Sequence, residues 1–197
     1  KCCFSRLRSD TKNGDYALGI FTSSWCRLMD SASRKLCDTD DDKEALESGE
    51  WLCHESCWTE ASKQSILQEK VVDIECNGGI HMYAVPIFAN GEPIGSINLG
   101  YGDPPQDKET LMEISEKYNL PYDLLIKKSQ EYESRPEYII SAAKKRIALS
   151  AKLIGEIVER RQTEASLLES NNRLNGFMKS ATDGFMIMDK ELRIIDA

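Results

Sequence analysis

The sequence predicts an α+β fold, an antiparallel sheet with helices collected on one side, followed by a long coiled-coil-like helix. Strand-like alternation runs through residues 71–76, 80–89 and 92–101, and Asn90-Gly91 stands between the last two runs as a two-residue hairpin turn. Helical spacing of apolar residues precedes that block. Beyond Pro136, residues 136–178 hold no further Pro and few Gly, with apolar residues at roughly heptad spacing.

Taken in order, residues 1–15 are short, polar and unpatterned, and read as a flexible lead-in to an α+β domain over 16–133. From Tyr16, Leu18, Phe21, Trp25, Leu28 and Met29 share one side of a helical pattern, which closes over Ser31 to Cys37. The run DTDDDKE reads as a solvated loop into a short helix, Lys43 to Glu47, ended by Gly49. Asp38, Asp40, Asp41 and Asp42 lack the Gly and the distal Glu of a calcium loop. CHESCWTEASKQSILQEK reads as a loop into a helix capped by Ser56 or Thr59, with Trp58, Ala61, Ile66 and Leu67 as its apolar stripe.

Of the strands, 92–101 carries Ile94, Ile97 and Leu99 interrupted by Gly95 and Gly100. Pro86 cannot donate to a ladder and marks an edge or a bulge. KETLMEISEKYNL and a short helix from about Pro121 complete the domain. The long helix over 136–178 carries Ile140, Ile147, Ile154, Ile157, Leu167, Leu174 and Met178, with polar Arg160, Glu164 and Asn171 on the same seam, able to set register or partner. It serves as a homodimer helix or packs on its own domain. Residues 179–197 break the helix at Asp183-Gly184 and give two alternating runs around Asp189-Lys190, the opening of a second sheet, so a longer parent protein is expected.

With 33 acidic against 25 basic residues in 197, the net charge of -8 offers no positive field for nucleic acid or anionic lipid. A small ligand or another protein is the expected partner. No apolar segment approaches the roughly 20 residues needed to cross a bilayer, and the odd set of seven cysteines suits reduced thiols. A soluble, cytoplasmic protein is the expectation, with no membrane contact in this stretch.

Common catalytic motifs are missing: no Gly-x-Ser-x-Gly elbow, no phosphate-cradling glycine loop and no HExxH. His54 and His81 are the only imidazoles, so no enzyme is expected in this stretch. Cys53-His54-x-x-Cys57 with Cys76 and His81 is the strongest constellation, and Cys26 and Cys37 compete with it. Zinc on Cys53, His54, Cys57 and Cys76, or thiol redox sensing, is the alternative function; buried cysteines behaving as small hydrophobes are the simpler one. No resident cofactor is expected.

Trp25, Trp51, Trp58, Tyr83, Phe88 and Tyr101 fall in elements that would meet over one sheet face beside His54, His81 and Asn98. Apolar walls with a few aimed polar groups make a small-molecule pocket. The ligand-binding candidates are Trp25, Cys26, Cys53, His54, Trp58, Cys76, His81, Tyr83 and Asn98.

CNGGIHMYAVPIFANGEPIGSINLGYG resembles the sensory domain of the PocR family: Cys76, Gly78-Gly79, Ala84-Val85-Pro86-Ile87, Gly91, Ile94-Gly95 and Gly100 match its cysteine, glycine step, A-V-P-I strand, turn and I-G strand. Trp25-Cys26-Arg27, Cys37 and Cys53-His54 are similar to the family's cysteine-bearing helix and loop, so the likeness spans roughly 12–105. One position departs, since many members carry His where Asn77 follows Cys76. The resemblance implies a PAS-like variant fold that binds a small hydrocarbon derivative such as a diol, alcohol or acid. It also implies a place in a two-component sensor histidine kinase, although no kinase motif is present. NRLNGFMKSATDGFMIMDKELRIIDA is similar to the opening of an ordinary PAS domain.

Overall fold

Asn90 and Gly91 both adopt positive φ, 53° and 80°, the geometry of a primed two-residue turn, and they join β4 (His81–Ala89) to β5 (Glu92–Tyr101). The computed structural model describes residues 2–6, 15–20, 23–180, 187–188, 190–191 and 193–196. Its two compact units are Lys1–Glu156 and Ile157–Ala197.

The first unit is α+β. β1 (Cys2–Arg6), β2 (Asp15–Ile20), β3 (Val72–Glu75), β4 and β5 form an antiparallel sheet in the order β2-β1-β5-β4-β3. Strands at Cys2–Arg6 and Asp15–Ile20 replace the expected lead-in and the first turn of the helix from Tyr16. The cause is non-local, because β1 pairs with β5 in the register Cys2↔Leu99. The Phe21 side chain and the Asp183-Gly184 break lie outside the described residues. Pro86 sits opposite Ser96 in β5, past the end of β3, whose last pairing is Val72↔Ala84, so its missing N–H costs no ladder bond there. A bulge follows between Ile87 and Phe88, shifting the β4–β5 register by one residue.

The helices are bounded by local chemistry. Ser23 caps α1 (Ser24–Leu36) by accepting from the Cys26 N–H at 3.1 Å. Asp41 caps α2 (Asp42–Ser48), which ends at Gly49 with φ 76°. The next helix begins at Leu52, earlier than either expected cap: α3 (Leu52–His54) runs into a π-helix (Glu55–Ser62) and then α4 (Lys63–Leu67). Asp107 caps α5 (Lys108–Tyr118), Asn119 ends it at φ 50°, and α6 (Tyr122–Gln130) follows Pro121. α7 (Glu137–Ser180) is one continuous helix.

Side-chain alternation along β4 divides the core. Met82 and Ala84 face Cys57 and Ala61 of the π-helix. Trp25, Met29, Leu111, Ile114, Tyr118 and Leu125 pack the short helices together on that side. Val85, Ile87 and Ile97 point the other way and are covered by Ile147 and Ala151 of α7, with Ile154 against them. The opposite sheet face therefore carries the first part of the long helix. Burial of Ile147 alone is worth about 2 kcal/mol. The sheet unit reaches Glu156.

Polar contacts fasten the same helix. Lys144 Nζ lies 2.9 Å from Asp73 Oδ2 and 3.9 Å from the centre of the Tyr101 ring, while the Tyr101 hydroxyl donates to Asp73 at 2.7 Å. Burial alone lowers the Lys144 pKa, but the Tyr101 and Asp73 contacts outweigh it and hold the ammonium above its ordinary value. A raised folded value means stability present at neutral pH and lost as pH rises through it. With both partners partly exposed, Lys144→Met should cost no more than about 1 kcal/mol. Urea titrations of both proteins should show that difference at neutral pH and its disappearance as the pH rises through the raised Lys144 pKa; a gap independent of pH would remove the charge from the explanation.

In the second unit, β6 (Ile187–Met188) and β7 (Ile194–Asp196) form an antiparallel pair on either side of the expected turn. Ile157, Leu167, Leu174 and Phe177 of α7 are exposed, Phe177 by 71%. Among the described residues, no helix is long and apolar enough to cross a membrane.

Candidate ligand cavity

The loop from Cys76 to Ile80 builds one wall. The Cys76 N–H donates to the Ile80 carbonyl at 2.7 Å and the Gly79 N–H to the Cys76 carbonyl at 2.8 Å. Gly79 has φ 75°, and a Cβ there would meet Pro105 at 2.7 Å, so only glycine fits. The Trp25 indole N–H donates to the Gly78 carbonyl at 2.9 Å and draws α1 onto this loop.

Asn77 clamps this loop. Its amide donates to Ser56 Oγ at 2.8 Å and to the Leu52 carbonyl at 3.3 Å, while its Oδ1 accepts from Lys117 at 2.6 Å. One side chain thus joins α3, the π-helix and α5. The wider π turn aims Ser56 and Cys57 at the loop and carries Ser62 to the sheet. There Asn98, fully buried, donates to the Cys57 carbonyl at 2.9 Å and to Ser62 Oγ at 2.7 Å, and accepts from Ser96 Oγ at 2.9 Å.

Between α1, the π-helix, the loop and α5 lies an apolar cavity of about 20 Å³, lined by Trp25, Cys26, Met29, Cys53, Ser56, Cys57, Cys76, Gly78, Ile80, Met82 and Tyr118. That is room for about one water. Burial pushes the Cys76 thiol up to about 11, against backbone hydrogen bonds from Ile80 and Gly78 that lower it. Burial also raises the Tyr118 pKa, helped by the nearby Cys53 and Cys76 thiols. The Tyr118 hydroxyl makes no well-formed hydrogen bond, and the thiol beside it is a weak partner.

A second, larger cleft of about 350 Å³ adjoins the first. Cys26 and Ile80 line both and form the partition. The rest of its wall comes from Leu99 to Asp103 at the end of β5, from Tyr132 and Arg135, and from Ile139, Ile140 and Ala143 in the first turns of α7.

The sequence-derived candidates separate accordingly. Trp25, Cys26, Cys53 and Cys76 line the inner cavity, joined by Cys57. His54 and Trp58 are buried beside it, 2% and 1% exposed, with His54 tilted against Trp51 at 6.2 Å. Asn98 sits beneath the π-helix in its serine network. His81 and Tyr83 stand on the α7 face instead: His81 stacks on Tyr101 at 5.1 Å, and Tyr83 packs with Leu99 near Lys144. Met29, Ser56, Ile80 and Tyr118 line the cavity unannounced by the sequence. The Y-N-L-P end of the α5 segment was the signal available for Tyr118, since Asn119 terminates that helix beside it. Among the described residues, no group of three or more His, Cys, Asp or Glu is placed to hold a metal ion.

The sheet thus carries a small apolar cavity under its short helices and the first part of the long helix on its other face. The family model described as the sensory domain found in PocR matches residues 21–159. The chain belongs to that family and carries a sensory domain. No curated protein and no solved structure matches it.

Proposed function

We propose that this chain is the input module of a cytoplasmic sensor histidine kinase, a binding module rather than a catalyst, of PAS-like fold with the start of a further PAS domain after residue 179. It binds a small hydrocarbon derivative and relays the bound state through α7. The observation that carries this reading is the shared wall: Cys26 and Ile80 stand between the small inner cavity and a cleft whose other side is the beginning of α7. A ligand that expands the inner cavity moves that partition, and α7 faces it across the cleft. Differential affinity for two arrangements is what a relay requires. The exposed Ile157, Leu167 and Leu174 supply a seam for a homodimer through the distal part of the helix.

Thiol redox sensing is favoured only by the gathering of Cys26, Cys53, Cys57 and Cys76 around the cavity. A thiol titrating near 11 is almost wholly protonated at neutral pH, which makes Cys76 a poor nucleophile.

The test is thermal unfolding against alcohols, diols, aldehydes and short acids. A ligand bound only by the folded state stabilises it by about 2.7 kcal/mol at a hundred times its Kd. At least one class is expected to raise the midpoint with concentration, and a flat response across the panel would refute the sensor reading.

A further inference from the structure

We infer that the outer cleft is a second binding site, and that it takes a zwitterion on an apolar chain, chemically an aliphatic α-amino acid. The inference goes beyond the sensor reading, which concerns the inner cavity, and does not depend on it. At about 350 Å³ the cleft falls within the range of small-molecule sites, about 300–1,000 Å³. Its wall is of two kinds. Ile80, Leu99, Ile139, Ile140 and Ala143 form an apolar stretch, while Asp103, Glu131, Glu133 and Arg135 bring charge of both signs.

Those charges do not pair with one another. Glu131 is held by Lys128 at 2.6 Å, and Asp103 accepts from the Ser134 hydroxyl. Among the described residues, neither Glu133 nor Arg135 has an ion-pair or hydrogen-bond partner. Asp103 and Arg135 both lie close enough to the half-buried Tyr132 hydroxyl to act on it: burial raises its pKa, Cys26 and Asp103 add to the rise, and Arg135 opposes it. Opposite charges thus face one cleft unmatched, and a ligand carrying both signs meets both. Arg135 offers a planar fork of donors suited to a carboxylate, Asp103 and Glu133 accept from an ammonium, and the apolar stretch takes the aliphatic chain. A ligand of one sign matches half of the wall and is opposed by the other half. Asp103 follows β5 and Arg135 precedes α7, so a bound zwitterion ties the end of the sheet to the start of the long helix.

Titration calorimetry with norleucine, pentylamine and hexanoate separates the two charges, since pentylamine lacks the carboxylate and hexanoate the ammonium. The wild type is expected to bind norleucine about tenfold or more tightly than either, each charge-assisted contact counting for about that factor. Arg135→Gln should weaken norleucine about tenfold and leave pentylamine unweakened. Asp103→Asn combined with Glu133→Gln should weaken norleucine by a similar factor and leave hexanoate unweakened. Arg135 has no partner to lose, so the ligand-free Arg135→Gln protein should unfold at the wild-type midpoint, and its loss of binding then reports the contact rather than the fold. Undetectable binding of norleucine, equal binding of the three compounds, or an Arg135→Gln protein that binds norleucine as tightly as the wild type overturns the inference. Each of these leaves the sensor reading standing, because the panel of alcohols, diols, aldehydes and short acids tests that reading separately.

Discussion

Replacing Asn98 by leucine is expected to lower the unfolding free energy by about 3 kcal/mol or more, a large part of the 5–15 kcal/mol typical of a domain. Leucine is close to asparagine in size and adds apolar surface, so hydrophobicity alone predicts a gain. The surroundings reverse the sign. Asn98 matches the Cys57 carbonyl, Ser62 Oγ and Ser96 Oγ, and none of these reaches water, since Cys57, Ser62 and Ser96 are at most 1% exposed. Each buried hydrogen bond lost without replacement costs about 1–3 kcal/mol. Ser62 and Ser96 retain a mutual contact at 3.3 Å, which trims the total. Ser96→Ala removes one partner only and should cost about 1 kcal/mol. Urea unfolding followed by the buried indoles of Trp25 and Trp58 measures both. Equal, small losses would show that the network is incidental.

Gly155→Ala should likewise destabilise, by about 3 kcal/mol or more, in defiance of helix propensity. In an exposed helix, alanine gains about 1 kcal/mol over glycine. At Gly155, however, a Cβ would fall inside the van der Waals shell of the Phe88 carbonyl oxygen, at the turn end of β4. Backbone cannot rotate away as a flexible side chain can, so α7 must lift from the sheet and expose Ile147 and Ala151. Amide exchange over residues 147–155 should accelerate along with the loss of stability. Gly176 is the internal control: a Cβ there meets nothing within 4 Å, and Gly176→Ala should stabilise its helix by up to about 1 kcal/mol. If both substitutions stabilise, the close approach of α7 to β4 is wrong.

Much of the fold is legible locally. Asn90-Gly91, the alternation on either side of it, the Gly49 stop and the proline-free stretch after Pro136 each act within a few residues, and the elements they bound are present. The π-helix is not legible, because an i→i+5 turn is selected by what it must reach, here Asn98 and the Cys76 loop, rather than by its own residues. β1 is invisible for the same reason, its partner β5 lying at the far end of the domain's sequence. Gly155 reads as an ordinary weak spot in a helix until Phe88 is placed against it.

The candidate site shows the division most clearly. Trp25, Cys26, Cys53 and Cys76 converge because their residue types, apolar and weakly polar, seek the interior wherever the helices and the loop meet. The sequence groups His81 and Tyr83 with Asn98, and the turn supports that: Ala89↔Glu92 and Phe88↔Pro93, continued without interruption, would set Tyr83 opposite Asn98 on one face. The bulge after Ile87 inserts one residue, so Tyr83 faces Leu99 and Asn98 faces Ala84. Side chains alternate with a period of two, and a slip of one sends a residue to the other side of the sheet. The sequence by itself determined the β4–β5 hairpin, the Gly49 helix stop and the long helix, since those choices are made by neighbours along the chain. Only the tertiary structure decided which face each strand residue serves, because one bulge and the packing that holds it are settled by residues far apart.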